Sequence, residues 1–177
     1  MPLNNLLTVV VEDYFHVAPL KSVVRADRWY RFERRVESNT RKALDLLDEY
    51  QIIATFFVLG SIAEEMPELV REIAERGHEV ASKGYFHHSI SHFSREEFRD
   101  DVARSREALE RASGCHVHGF RIGHQWFDPD DLWALDVLAA EGFAYDSSVR
   151  PLFGRFKQEP WRRRPHRNRV DGGEIWE

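Results

Sequence analysis

Cysteine is almost missing from this chain: Cys115 is the only one in 177 residues. That excludes a disulfide framework within the chain and a zinc site built on several thiolates. Any metal would have to be held by imidazoles and carboxylates. Long apolar runs are missing too. No stretch of about 18 apolar residues occurs, which argues against a membrane-spanning helix. The first five residues, Met1-Pro2-Leu3-Asn4-Asn5, lack the basic and apolar regions of a standard signal peptide, so a cytoplasmic location is expected. Repeats and low-complexity segments are also absent. What remains is ordinary globular material, 42% hydrophobic and 31% charged. Twelve Phe, five Trp and five Tyr exclude a disordered chain. The length fits one domain with a real core.

The net charge of −5 is unevenly spread. Between Arg150 and Arg169 there are eight Lys/Arg and one acid, Glu159. This local +7 leaves −12 on the rest. Such a stretch is compatible with nucleic acid, an acidic glycan or an anionic surface. The plainer reading is a solvated, basic, weakly periodic tail over 150–177, with no nucleic-acid partner expected.

The apolar pattern alternates strand and helix. Leu6–Val11 is a continuous apolar and β-branched run, expected to be a strand buried on both faces. Val36, Thr40, Ala43, Leu44 and Leu47 recur at helical spacing, with Ser38 or Asn39 as possible caps. Ile52–Leu59 reads as a second strand, and Pro67 opens a helix that Gly77 ends. A third strand covers His78–Ser82. Ser94 and Glu97 form a capping box ahead of a long helix. Val117–Ile122 is a fourth strand. Asp128-Pro129 starts another helix, and Phe143–Asp146 is a short fifth strand. Repeated strand–helix units predict an α/β protein with a parallel sheet, open or closed into a barrel. In either case ligands bind at the carboxyl ends of the strands. Just past those ends lie Glu12, Asp13, Lys83, His87, His88, His92, Arg121, His124 and Asp146-Ser147-Ser148.

Five segments carry a resemblance to a known family: LTVVVEDYF (7–15), ATFFVLG (54–60), the run from Pro67 to Ser82 with Gly84-Tyr85, GFR (119–121), and LWALDVLAAEGFAYDSS (132–148). Their order and spacing resemble the polysaccharide deacetylases of the NodB-homology type. The branch associated with exopolysaccharide and exosortase gene clusters looks most similar. The resemblance implies an irregular (β/α) barrel of about seven strands that removes acetyl groups from an acetylated polysaccharide or oligosaccharide. It implies a divalent metal, often zinc, held by one Asp and two His, and a second carboxylate that activates water. Mapped onto this chain, Glu12 becomes the base and Asp13 a metal ligand, with His87 a second ligand. Arg121 orients a carboxylate and Asp146 joins the same network. Tyr85, His124 and Trp126 become substrate contacts. Because similar chains continue well past a segment like Gly173–Glu177, a single, C-terminally truncated domain over 1–177 is expected.

Three motifs depart from the family pattern. Val10 stands where the first acid of D-V-E-D-Y-F belongs. Lys83 replaces the first histidine of S-H-G-Y-x-H. The R-x-P-x-x-S motif keeps only Arg121, followed by Ile122-Gly123-His124-Gln125-Trp126. An ammonium cannot ligate a metal. Three readings of Lys83 follow: it sits in the metal's place paired with Asp13, a neighbouring histidine restores the metal site, or its own amine is functional with a depressed pKa. The first makes the domain a weak or silent hydrolase, with a non-catalytic glycan-binding or scaffold domain as the alternative. His88 and His92 are expected at the surface.

Overall fold

The computed structural model describes residues 6–16, 24, 26–124, 126–150 and 154–177. The stretch Met1–Asn5, residue Gln125 and residues 151–153 of the basic tail lie outside the described residues.

The chain opens with strand β1 (Thr8–Val11), and a single 3-10 turn (Tyr14–His16) follows it. Helix α1 (Val36–Glu49) then leads to β2 (Thr55–Val58). Helices α2 (Gly60–Glu65) and α3 (Pro67–Glu75) return the chain to β3 (Glu79–Ser82). The long α4 (Arg95–Ser113) precedes β4 (Gly119–Phe120), and α5 (Trp133–Ala140) precedes β5 (Tyr145–Asp146). The hairpin β6 (Arg167–Val170) and β7 (Gly173–Trp176) completes the sheet. Strand order is β1-β2-β3-β4-β5-β7-β6, parallel throughout except for the antiparallel β6–β7 pair. This is an α/β fold, and among the described residues β1 and β6 are the two edges of the sheet.

The core lies between the sheet and its helices. Phe56, Val58, Val80 and Phe120 meet Leu44, Val70, Ile73, Phe98, Val102, Leu109 and Leu138 there, all nearly inaccessible to solvent. Phe98 packs edge-on against both Phe120 and Trp133. The other sheet face lines a cavity of about 580 Å³ bordered by Thr8, Thr55, Phe57, Glu79, Tyr145 and Trp176.

Three expectations change. Leu6–Val11 is not buried on both faces: Leu6 is 88% and Val10 39% exposed. The reason is position, because β1 has a neighbour only on its β2 side. The cap of α1 is neither Ser38 nor Asn39. The helix starts at Val36, and the Asp13 carboxylate, distant in sequence, accepts the amides of Arg35 (2.8 Å) and Val36 (3.0 Å). The weakly periodic tail contains a paired hairpin, with Ile175 and Phe156 buried. The capping box is as expected: Glu97 N–H donates to Ser94, and Ser94 N–H donates to the Glu97 carboxylate.

Candidate active site

Strand alternation places the site. Side chains two apart share a face. Thr8, Val10 and Glu12 therefore continue along one side of β1, and Glu79, Ala81 and Lys83 along one side of β3. Arg121 belongs to this face as well, since its guanidinium donates to Thr8 Oγ1 at 3.2 Å and lies 4.1 Å from the centre of the Phe57 ring. Val11 and Asp13 fall on the opposite face, towards the helices, and both are buried.

At the carboxyl end of β1 the Glu12 carboxylate meets His87 Nε2 at 2.9 Å and Lys83 Nζ at 3.9 Å. Lys83 is only 5% exposed. Its ammonium donates to the carbonyls of Gly123 (3.0 Å) and Ile122 (3.4 Å). Gly123 favours this arrangement, because a Cβ there would meet His87 Cα at 3.0 Å, closer than an ordinary contact. The missing side chain lets the 121–124 loop press against the His87 loop and turn its carbonyl to the lysine. Burial opposes ionisation of Glu12, but the His87 hydrogen bond and the Lys83 charge hold its carboxyl below the ordinary range. Burial likewise lowers the Lys83 ammonium pKa, Glu12 counteracts this and Arg121 adds to it.

Two more imidazoles flank His87. The ring of His124 is 5.8 Å away and that of His16 is 6.3 Å away, centre to centre. His16 Nδ1 accepts the Asp13 N–H at 3.0 Å, so the neutral ring carries its proton on Nε2. Burial, with the nearby His87, pushes the His16 pKa down to about 4.

The expected site residues are thus divided. Glu12, Lys83, His87 and His124 come together. Asp13 lies beside them in sequence but caps α1, while Glu12 continues the other face of β1. Val10 occupies the next position on that face. Arg121 donates to the Ser147 carbonyl (3.3 Å) and hydroxyl (2.7 Å) rather than to a carboxylate. Asp146 is turned to Ser148, accepting its amide (2.8 Å) and hydroxyl (2.6 Å), while Ser148 Oγ in turn accepts the Ile122 amide (2.8 Å). It ties two loops together beneath the site, and burial pushes its pKa up to about 7. Tyr85 is buried on the other side of the His87 loop, with its hydroxyl bonded to Glu64 and Arg104. Trp126 is 45% exposed, with Arg150 above its ring. His16 was missed by sequence reasoning. Its signal was the Asp-x-x-His spacing of a tight turn just after a buried strand.

The donor set does not fit a divalent metal. Glu12 and His87 are two suitable donors, but Lys83 brings a positive charge to the third position. His16 offers a proton rather than a lone pair. Among the described residues no three His, Cys, Asp or Glu are arranged to hold a metal ion.

A parallel α/β sheet with acid, imidazole and lysine at the carboxyl ends of its strands has a polar site where such folds bind ligands. The polysaccharide deacetylase family model matches residues 27–138, and the chain belongs to that family. A peptidoglycan-N-acetylglucosamine deacetylase from Bacillus cereus is 36% identical over 127 residues, covering 65% of this chain and 46% of the relative. A chitooligosaccharide deacetylase from Rhizobium leguminosarum bv. trifolii is 29% identical over 124 residues, 70% of this chain and 54% of the relative. The chain thus spans about half the length of these curated relatives. Among solved structures, a Mycobacterium smegmatis protein assigned to the polysaccharide deacetylases superposes with a TM-score of 0.75 at 29% identity, covering 97% of this chain and 56% of the other. The fold is also that of a pseudoenzyme of carbohydrate esterase family 4 from Bacillus anthracis, with TM-score 0.51 at 24% identity over 56% of this chain and 36% of the other.

Proposed function

We propose that this chain is a polysaccharide-deacetylase domain that binds N-acetylated glycans at the Glu12–Lys83–His87 site, with hydrolysis weak or lost. The observation that carries this reading is Lys83. Its ammonium is buried, held by two carbonyls and a carboxylate, and stands where the family has a histidine ligand. The family's deacetylases are generally metal-dependent, and a neutral-water nucleophile at such a site depends on a bound cation. Here the resident cation is the lysine itself, and it supplies hydrogen-bond donors instead of an open coordination position. Val10 removes the carboxylate that would accept the water's proton. His124 beside His87, and the half-exposed Trp126, are the proposed glycan contacts. The glycan class is supported by the peptidoglycan and chitooligosaccharide relatives, and the exopolysaccharide-associated branch by the Glu12-Asp13-Tyr14-Phe15 motif.

Zinc titration tests this, run in parallel with acetate release from an acetylated chito-oligosaccharide. Wild-type protein is expected to bind zinc weakly. Lys83→His is expected to tighten zinc binding at least tenfold, since it removes a cation and adds a third donor beside Glu12 and His87. Lys83→His combined with Val10→Asp is expected to release acetate faster than either single change. Tight stoichiometric zinc binding by the wild type, unchanged in Lys83→His, would overturn the reading.

A further inference from the structure

Asp146 is buried, and its hydrogen bonds hold its own loop rather than reaching Glu12, Lys83 or His87. That loop follows β5 and runs beside the loop that follows β4. Strand pairing sets the two side by side, with Gly119 opposite Tyr145 and Phe120 opposite Asp146. The Ser147 amide continues the ladder by donating to the Phe120 carbonyl at 2.9 Å. In a regular parallel ladder the Ile122 amide would next donate to the Ser147 carbonyl. It donates instead to Ser148 Oγ at 2.8 Å, and the Ser147 carbonyl takes the Arg121 guanidinium at 3.3 Å.

Ser148 can accept that amide because its own hydrogens are committed. Its hydroxyl donates to one Asp146 oxygen (2.6 Å) and its amide to the other (2.8 Å). The hydroxyl's lone pairs are thereby left for Ile122. Asp146, Ser148 and Ile122 are all nearly closed to water, so water does not replace a missing partner here. The far end of the 121–124 loop is held by the His124 amide on the His88 carbonyl at 3.1 Å. Between these anchors lie Ile122 and Gly123, whose carbonyls take the Lys83 ammonium at 3.4 and 3.0 Å. Fixing the Ile122 amide fixes the peptide plane on its amino side, and with both ends of the loop held the two carbonyls keep their aim.

We infer that Ser148 and Asp146 are positioning residues for Lys83: Asp146 orients the Ser148 hydroxyl, Ser148 anchors the Ile122 amide, and the anchored loop presents the two carbonyls that hold the ammonium in the site. This deepens the reading of Glu12–Lys83–His87 as the glycan site and rests on it. The Asp146-Ser147-Ser148 motif thus serves the one site residue, Lys83, that replaces a histidine of the family pattern.

Site-resolved acetylation of the lysines tests this, using acetic anhydride at mildly alkaline pH, mass spectrometry, and exposed Lys42 as internal reference. In the wild type Lys83, buried and held by carbonyls, is expected to react about tenfold more slowly than Lys42. Ser148→Ala removes the acceptor of the Ile122 amide. Asp146→Asn presents one acceptor oxygen where Ser148 uses two. Each is expected to raise the Lys83 rate about fivefold relative to Lys42, because carbonyl acceptors favour the unreactive ammonium. Should Ser148→Ala not fold, Asp146→Asn carries the comparison alone. Leu44→Ala, a core change in α1, lowers stability without touching this network and is expected to leave the ratio unchanged. A tetramer of N-acetylglucosamine is expected to bind the folded variants about fivefold more weakly than the wild type. A raised Lys83 rate with unchanged tetramer affinity would support the positioning role and count against the central site as the glycan site. Lys83 reacting as fast as Lys42 in the wild type, a ratio unmoved in the folded variants, or an equal rise in Leu44→Ala would overturn the assignment.

Discussion

Asp101 shows how a single buried carboxylate makes stability depend on pH. Burial pushes its pKa from 3.8 up to about 6, against the lowering effect of the Tyr85 and Phe86 amides. Between these values the folded chain keeps a proton that the unfolded chain has released. The stabilisation from this proton is therefore full below pH 3.8 and is lost as pH rises through about 6. Comparison with Asp101→Asn isolates the effect. Urea denaturation from pH 4 to 7 is expected to show the stability difference between wild type and variant shifting against the wild type by about 2–3 kcal/mol at most. A difference that stays flat across this range would show that Asp101 titrates normally. The same residue-scale logic separates Glu12 from Asp13. They are adjacent and chemically alike, but one reaches His87 and the other a helix terminus.

Helix α1 illustrates an element completed from a distance. Its own first residues provide no side-chain cap, and Arg35 at the N-cap makes none. Asp13 fills that role across more than twenty residues, accepting two amides that no helical carbonyl reaches. Its negative charge at the positive helix end adds to the effect. Asp13→Ala is expected to cost about 1–3 kcal/mol in chemical denaturation, with Asp13→Asn losing less. Unchanged stability in Asp13→Ala, together with loss of glycan binding, would return Asp13 to the site. Close approach controls other elements. At Gly119 in β4 a Cβ would lie 2.1 Å from the Tyr145 ring, so only glycine lets that tyrosine lie across the strand to reach Glu79.

At the largest scale, the sheet formed by the described residues ends at β1 and β6. Leu6, Leu7 and Val10 are exposed along the β1 edge, and Trp176 lies across the cavity mouth. Unpaired strand edges with apolar neighbours invite pairing with another chain. Sedimentation of the 177-residue chain is expected to show concentration-dependent association, and Leu6→Lys is expected to reduce it. A strictly monomeric wild type at high concentration would contradict this. No helix among the described residues is long and apolar enough to cross a membrane.

Local pattern was enough to reveal the strand–helix alternation, the Ser94–Glu97 box, the turn glycine Gly77, and the strand ends where polar residues gather. These depend on neighbours in sequence: side-chain period, propensity and positive φ. The motifs also marked Lys83 and Val10 as departures. Tertiary structure alone decided the rest. Whether β1 is buried depends on what lies beside it. Which of Glu12 and Asp13 enters the site depends on strand parity and on where α1 begins. That Lys83 can remain buried depends on two carbonyls some forty residues away, brought close because Gly123 has no side chain. Contacts between residues distant in sequence leave no periodic trace, which is why the residue types of the site were legible and their partners were not.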